Sequence, residues 1–209
     1  FDADEVTALH ENARALVEML ADGLDARRAA GAVRRCHGDL HLRNICLIDD
    51  RPTLFDGIEF SRDFSEIDVL YDLAFLLMDL DFRGLGRLSS IIFNRYFDIT
   101  GEVMARPAAL SVLPLFLSMR AAIRAHVDAV QAASLSDDAK RQQRGDEARA
   151  YPHLARNYQH RSEPRLVAVG GLSGSGKSRM SRELAPFIGA APGARVVRTD
   201  VVRKRLWGV

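Results

Sequence analysis

Three oxygen-bearing side chains, Asp39, Asn44 and Asp56, fall within one stretch that opens His37-Gly38-Asp39-Leu40-His41-Leu42-Arg43-Asn44. Two apolar runs follow, 45–48 and 53–55, separated by Asp49-Asp50-Arg51-Pro52, which is turn chemistry. The pattern predicts an antiparallel hairpin with its turn centred near residue 50. Asn44 and Asp56 lie at equal sequence distance from that centre, and residues paired across such a hairpin have Cβ atoms about 5 Å apart. An amide oxygen and a carboxylate would meet at the open end, with Asp39 just upstream. Hard oxygen ligands at one point suit Mg²⁺, which takes a few carboxylates plus phosphate oxygens and water. Taken singly, Asp39 and Asn44 are also loop residues that bond local backbone, and Asp56 is an ordinary strand end.

A second constellation lies further along. The apolar run 166–169 leads into Gly171-Leu172-Ser173-Gly174-Ser175-Gly176-Lys177-Ser178, then into a helical pattern reaching about residue 188. Gly-x-x-x-x-Gly-Lys-Ser between a strand and a helix is the spacing of a phosphate-binding loop. Gly171, Gly174 and Gly176, with Ser173 and Ser175 among them, let backbone N–H groups point inward around phosphate oxygens. The helix N-terminus adds a favourable dipole. Lys177 would reach the β- and γ-phosphates of ATP, and the Ser178 hydroxyl would ligate Mg²⁺. A second strand is expected over 195–199. Asp200 follows it, and as a residue type it suits a helix N-cap.

His37-Gly38-Asp39, Asn44 and Asp56-Gly57-Ile58 together resemble the catalytic core of the protein-kinase-like fold, and within it the aminoglycoside phosphotransferase family. Gly38 stands where protein kinases have the Arg of His-Arg-Asp, and Asp56-Gly57-Ile58 stands for Asp-Phe-Gly. The resemblance implies that Asp39 is the catalytic base and that Asn44 and Asp56 hold Mg²⁺ against the nucleotide. It also implies that His37 supports the loop and that Asp72, in Asp72-Leu73-Ala74, braces it. Segment 171–178 with Thr199-Asp200-Val201-Val202-Arg203 resembles small P-loop kinases of the gluconate kinase-like, polynucleotide kinase-like and zeta-toxin-like kinds. By that resemblance Asp200 contacts or deprotonates an acceptor hydroxyl. The order of the two parts resembles a bacterial two-domain family described as an aminoglycoside phosphotransferase fused to an ATP-binding protein, over nearly the whole chain. The implied activity is ATP- and Mg²⁺-dependent transfer of a γ-phosphoryl group to a hydroxyl of a small molecule, beside a second, P-loop nucleotide site. Two other readings stay open. One is a P-loop small-molecule or polynucleotide 5′-hydroxyl kinase with the kinase-like lobe as a binding module. The other is a non-catalytic nucleotide-binding module.

The elements that must position these residues read as mostly helical. Val6, Leu9, Ala13, Leu16, Val17 and Leu20 predict a helix over 3–21, stopped at Gly23. A short helix over 25–30 and a strand over 32–36 then lead into the loop. A strongly apolar helix starts near Asp68, about a dozen residues after Asp56. That leaves little room for the long activation segment with which protein kinases hold peptides, so a small acceptor is expected. Asp63, Glu66, Asp68, Asp79 and Asp81 form an acidic cluster that suits either a cationic acceptor or a solvated face. Helices are expected over 87–99, over 108–133 with a kink at Pro114, and over 136–159 with disturbances at Gly145 and Pro152. Arg120 and Arg124 share one face of the second of these, placed to meet a phosphate, an acidic acceptor or nearby carboxylates.

The fold class expected is α/β: an α+β, mostly helical kinase-like C-lobe at 1–160, a linker at 161–165, and the first βαβ unit of a P-loop domain at 166–209. The kinase-like fold needs an upstream lobe with a nucleotide-covering loop and a strand Lys. Residues 1–36 contain neither, and the chain opens on Phe1, so it reads as a fragment. Neither a Walker B Asp nor a lid Arg is found in it. The 209 residues carry a net charge of +1, which gives no reason to expect a nucleic-acid or membrane partner. No signal peptide is visible, and no apolar run approaches the roughly 20 residues of a membrane span. Cys36 and Cys46 read as small buried hydrophobes in a reducing, cytoplasmic setting. The only lysines are Lys140, Lys177 and Lys204, which makes the one inside the glycine-rich loop conspicuous.

Overall fold

The computed structural model describes residues 1–102, 108–160 and 163–208. Arg161 and Ser162 of the expected linker, and Val209, lie outside the described residues. Helices dominate, with two small antiparallel sheets.

Helix α1 (Ala3–Met19) is capped by Asp2, whose side chain accepts from the Asp4 N–H, and it carries Asp4 and Glu5 in its first turn. The second helix, α2 (Ala21–Ala29), follows at once. Gly23, expected as a stop, lies inside α2. A Cβ there would sit 3.2 Å from the Cβ of Ala108, so its bareness permits close helix approach. Strand β1 (Val33–Arg35) then pairs antiparallel with β4 (Glu66–Asp68).

Strands β2 (Ile45–Ile48) and β3 (Arg51–Leu54) form the predicted hairpin, with Ile48 opposite Arg51. Asp49 and Asp50 adopt φ of 50° and 57°, which closes a two-residue turn whose twist matches the strands. This tight turn shifts the expected centre. Asn44 stands opposite Phe55, whose N–H donates to the Asn44 carbonyl (3.1 Å), and Asp56 lies one residue beyond the pair. The expected Asn44–Asp56 pairing is thus one residue out of register.

After a single helical turn, α3 (Arg62–Ser65), Asp68 caps α4 (Val69–Phe82) through the Leu70 N–H at 2.8 Å. Helix α4 is apolar nearly all round and is the centre of the core. Against it pack α5 (Gly86–Thr100), closed by a left-handed Gly101, and α6 (Ala109–Ser134), continuous through Pro114. By length and composition α6 could cross a membrane, contrary to the sequence expectation. Half of its most apolar window is instead buried inside the molecule. Helix α7 (Asp138–Gln159) doubles back along α6 and runs through Gly145 and Pro152. Its buried stripe is Ala148, Tyr151, Ala155 and Tyr158, at the spacing of one narrow helical face. Tyr151 stacks on Phe82, and the Tyr158 hydroxyl donates to Asp81 (2.6 Å).

A buried ion-pair triad fixes the start of α4. Arg27 is 1% exposed and donates to both oxygens of Asp68 (2.6 and 2.7 Å), and it pairs with Glu102 (2.6 Å). Burial pulls its pKa down, but the bonds to Asp68 and Glu102 outweigh this and leave it raised.

The expected βαβ unit is not formed among the described residues. Neither 166–169 nor 195–199 is a strand, and no neighbouring strand lies beside either. A strand needs a partner for its N–H and C=O groups. Without one Leu166 stands 97% exposed. The helices do form: α8 (Lys177–Leu184) and α9 (Thr199–Trp207). This segment leans on α5, where the Asn94 side chain donates to the Ala194 carbonyl (3.1 Å) and accepts from the Val196 N–H (2.8 Å). Glu183 also pairs with Arg87.

Candidate functional site

The loop 37–44 hangs from two carboxylates of α4. Asp72, buried, accepts the N–H of Gly38 (2.9 Å) and of His37 (3.1 Å), one on each oxygen. Two turns further along, Asp79 accepts the Leu42 N–H (2.9 Å) and pairs with Arg83. Gly38 turns with φ of 84°, and a Cβ there would come within 2.9 Å of the Phe64 carbonyl. No other residue fits without moving that backbone.

His37 ties the loop to the far end of the hairpin. Its ring Nε2 bonds the Phe55 carbonyl (2.8 Å), and its own carbonyl accepts the Ile58 N–H (2.8 Å). Because a carbonyl only accepts, Nε2 carries the proton. These bonds bracket Asp56, which adopts φ of 59°, a conformation that Asp tolerates better than most residues. Asp56 is exposed and lines a cavity of about 580 Å³ together with Asp39 and Gly57.

Asp39 sits where two cavities meet. The second, about 490 Å³, runs under the loop between α4 and α6, with Tyr71, Phe75, Arg120 and Arg124 in its walls. Two donors hold the Asp39 carboxylate: Asn44 Nδ2 (3.0 Å) and His41 Nε2 (3.2 Å). His41 accepts the Arg43 N–H on Nδ1 (3.2 Å) and rests against Phe75, so its tautomer and orientation are both fixed. The His41 bond keeps the Asp39 pKa below its ordinary 3.8 despite burial, helped by Asn44 and Arg124. Asp39 is therefore an oriented anion at neutral pH. Sequence reasoning gave His41 no role. The Asp-x-His spacing was the available signal, but only the fold turns the ring toward Asp39.

Asn44 is buried and commits its Nδ2 to the carbonyl and carboxylate of Asp39 (both 3.0 Å). Its Oδ1 is the acceptor atom of the side chain. Among the described residues no group of three or more His, Cys, Asp or Glu side chains could hold a metal ion. Asp56 lines the outer cavity and Asn44 is not among its walls, so Asn44 Oδ1 and the Asp56 carboxylate are a sparse hard-oxygen set that would suit Mg²⁺ only with ligand phosphates and water completing the shell. Cys36, beside the loop, has its thiol pushed up to about 11 by burial and by Asp72 and Asp68, so it is no nucleophile.

The acidic cluster, read from sequence as either a cation site or a solvated face, is dispersed. Asp68 serves Arg27 and the α4 cap, Asp79 the loop and Arg83, and Asp81 the Tyr158 hydroxyl. Asp63 alone of the five faces the cavity.

Segment 171–178 curls. The Ser175 N–H donates to the Leu172 carbonyl (3.2 Å), Lys177 Nζ folds back onto that same carbonyl, and Gly171, Gly174 and Gly176 all have positive φ. A Cβ on Gly171 would meet Ser175 Oγ at 2.8 Å. Gly176 leads directly into α8. Ser173, Gly174 and Ser175 are exposed, and Ser178 borders a cavity against α5. Asp200 lies in the first turn of α9, exposed and paired with Arg198 (2.6 Å), which lowers its pKa. Asp200 is not among the walls of the cavity that Ser178 borders.

The chain is 34% identical over 178 residues to uncharacterized proteins of Mycobacterium tuberculosis and Mycobacterium bovis, a span that covers 84% of this chain and 33% of each relative. It thus spans about a third of the length of the curated relatives it matches. No family model matches it, and no solved structure does.

Proposed function

We propose that this chain carries the catalytic lobe of an ATP- and Mg²⁺-dependent, kinase-like phosphotransferase whose acceptor is a small hydroxylated molecule. The observation that carries the reading is the placing of Asp39. Its carboxylate is aimed by His41 and Asn44 and lies between a cavity bordered by Asp56 and a second one walled by α4 and α6. The acceptor hydroxyl would enter from the second cavity and donate its hydrogen bond to Asp39. Its oxygen forms a bond to the γ-phosphorus of ATP as the bond from that phosphorus to the β,γ-bridging oxygen breaks. The electron pair leaves with ADP, and the hydroxyl proton passes to Asp39. A carboxylate with a lowered pKa is a weak base, which suits a loose transition state that calls for a proton acceptor late. Asn44 and Asp56 would hold Mg²⁺, which neutralises charge on the phosphates. Asp72 and His37 are positioning residues.

The test is γ-phosphoryl transfer by the intact protein carrying Asp39→Asn. Transfer should vanish while ATP still binds, and undiminished transfer would overturn the reading. A second reading is favoured by the curled 171–178 loop: phosphoryl transfer at the P-loop, assisted by Lys177, Ser178 and Asp200, with the lobe as a binding module. Lys177→Ala separates the two, because it should abolish transfer only under this second reading.

A further inference from the structure

The wall of the inner cavity holds a donor that the fold leaves unused. Arg120 projects from α6, and its side chain is 8% exposed. Its Nε donates to the Tyr71 carbonyl (3.2 Å), and its guanidinium lies over the rings of Tyr71 and Phe75, 3.9 and 4.8 Å from their centroids. Those contacts use the face and one edge of the group. Nη2 is buried and has no hydrogen-bond partner. The nearest carboxylate oxygen, Asp72 Oδ1, is 3.9 Å away and already holds the Gly38 N–H. A buried charged donor without an acceptor is costly. Burial accordingly pulls the Arg120 pKa below its ordinary 12.5, against the opposing pull of Tyr71, Asp72 and Asp39.

The other charges around the cavity do not satisfy it. Arg124 is held by both oxygens of Asp128 (2.8 and 3.0 Å), and Asp128 also takes Arg144 (3.0 Å), so this trio keeps one positive charge in excess. Arg43 at the rim is 4.0 Å from Glu147. Asp63 is exposed at the mouth, and Asp39 is committed to His41 and Asn44. The α6 wall is therefore cationic, and it faces the carboxylate that would receive the acceptor's proton.

Resting on the phosphotransferase reading, we propose that the acceptor carries an oxyanion, a carboxylate or phosphate, bound by the Arg120 guanidinium in the cavity between α4 and α6, with its hydroxyl turned to Asp39. A guanidinium preset by ring stacking loses little freedom when it binds such a group. The same charge disfavours a cationic, aminoglycoside-like acceptor at this wall.

The test compares four probes on a three-carbon skeleton with the intact protein by titration calorimetry: D-glycerate, glycerol 3-phosphate, glycerol and 3-amino-1,2-propanediol. At least one of the two anions should bind about 10-fold or more tighter than glycerol, and the amine more weakly than glycerol, the range expected of one charge-assisted contact. Which anion wins tells carboxylate from phosphate. Arg120→Gln should erase the preference, and Arg120→Lys should keep part of it. Should Arg120→Gln unfold, the wild-type ranking and the lysine variant still decide. Equal binding of glycerol and the anions, binding of no probe, or a preference intact in Arg120→Gln overturns the proposal. Asp39→Asn keeps the two readings apart. Anion preference without transfer to any acceptor sinks the phosphotransferase and spares the anion site. Transfer that favours glycerol or the amine does the reverse.

Discussion

The two stretches proposed to meet phosphate differ in what supports them. Loop 37–44 is held from beneath by α4: Asp72 takes two of its N–H groups, Asp79 a third, and His37 stitches it to 55–58. Segment 171–178 is shaped by its own turn and glycines and stands exposed, with its neighbours 166–169 and 195–199 in no strand pairing. A site made of side chains requires buried partners to aim them, because each side chain has rotamer freedom to lose. A site made of main-chain amides requires mainly the right φ values, which glycine supplies locally. Disturbing the core should therefore cost the first region its geometry and leave the second nearly untouched.

That contrast can be broken at several points. The largest effect expected is on rate: Asp39→Asn should lower kcat at the first site by about 10²- to 10⁴-fold, measured as ADP release with an acceptor. Next, Arg27→Met leaves Asp68 and Glu102 without their cation at the foot of α4, and should cost about 3–5 kcal/mol by urea unfolding. Asp72→Ala should cost about 3 kcal/mol by removing the acceptor for two loop amides. It should abolish first-site activity and leave nucleotide binding by 171–178 unchanged, and equal loss at both sites would show that they are coupled. Lys177→Ala, in the exposed loop, should shift stability by no more than about 0.5 kcal/mol while weakening nucleotide binding there.

The smallest effect is a titration. His41→Leu removes the main cause of the low Asp39 pKa, so the carboxyl should titrate closer to its ordinary 3.8 than in the unaltered protein, read by carboxyl-carbon NMR. The sign follows from the depressed value. The stability that the ionised Asp39 adds is present above its unfolded pKa and is lost as pH falls through the lower folded one. In His41→Leu that loss should be smaller and should end at higher pH.

Much of the helical framework was legible in the sequence because apolar periodicity is a local property. Asp68 as the start of α4 and the separate helices α6 and α7 follow it, while the packing of α7 back along α6 is tertiary. The hairpin was legible too, but its register was not. The turn closed on Asp49 and Asp50, and that shift of half a residue moved Asp56 off the partner of Asn44. The strands expected at 166–169 and 195–199 had the right residues and no strand beside them to pair with.

The sequence by itself determined which residues have chemistry to offer, since the spacing of Asp39, Asn44 and Asp56 and the run 171–178 is fixed by covalent order. Only the tertiary structure decided how they are used. It turned His41 onto Asp39, hung the loop from Asp72 and Asp79, dispersed the acidic cluster into caps and ion pairs, and left Arg120 Nη2 without an acceptor. Each of these joins residues far apart in the chain, and burial sets the cost of leaving a polar group unpaired once it is there.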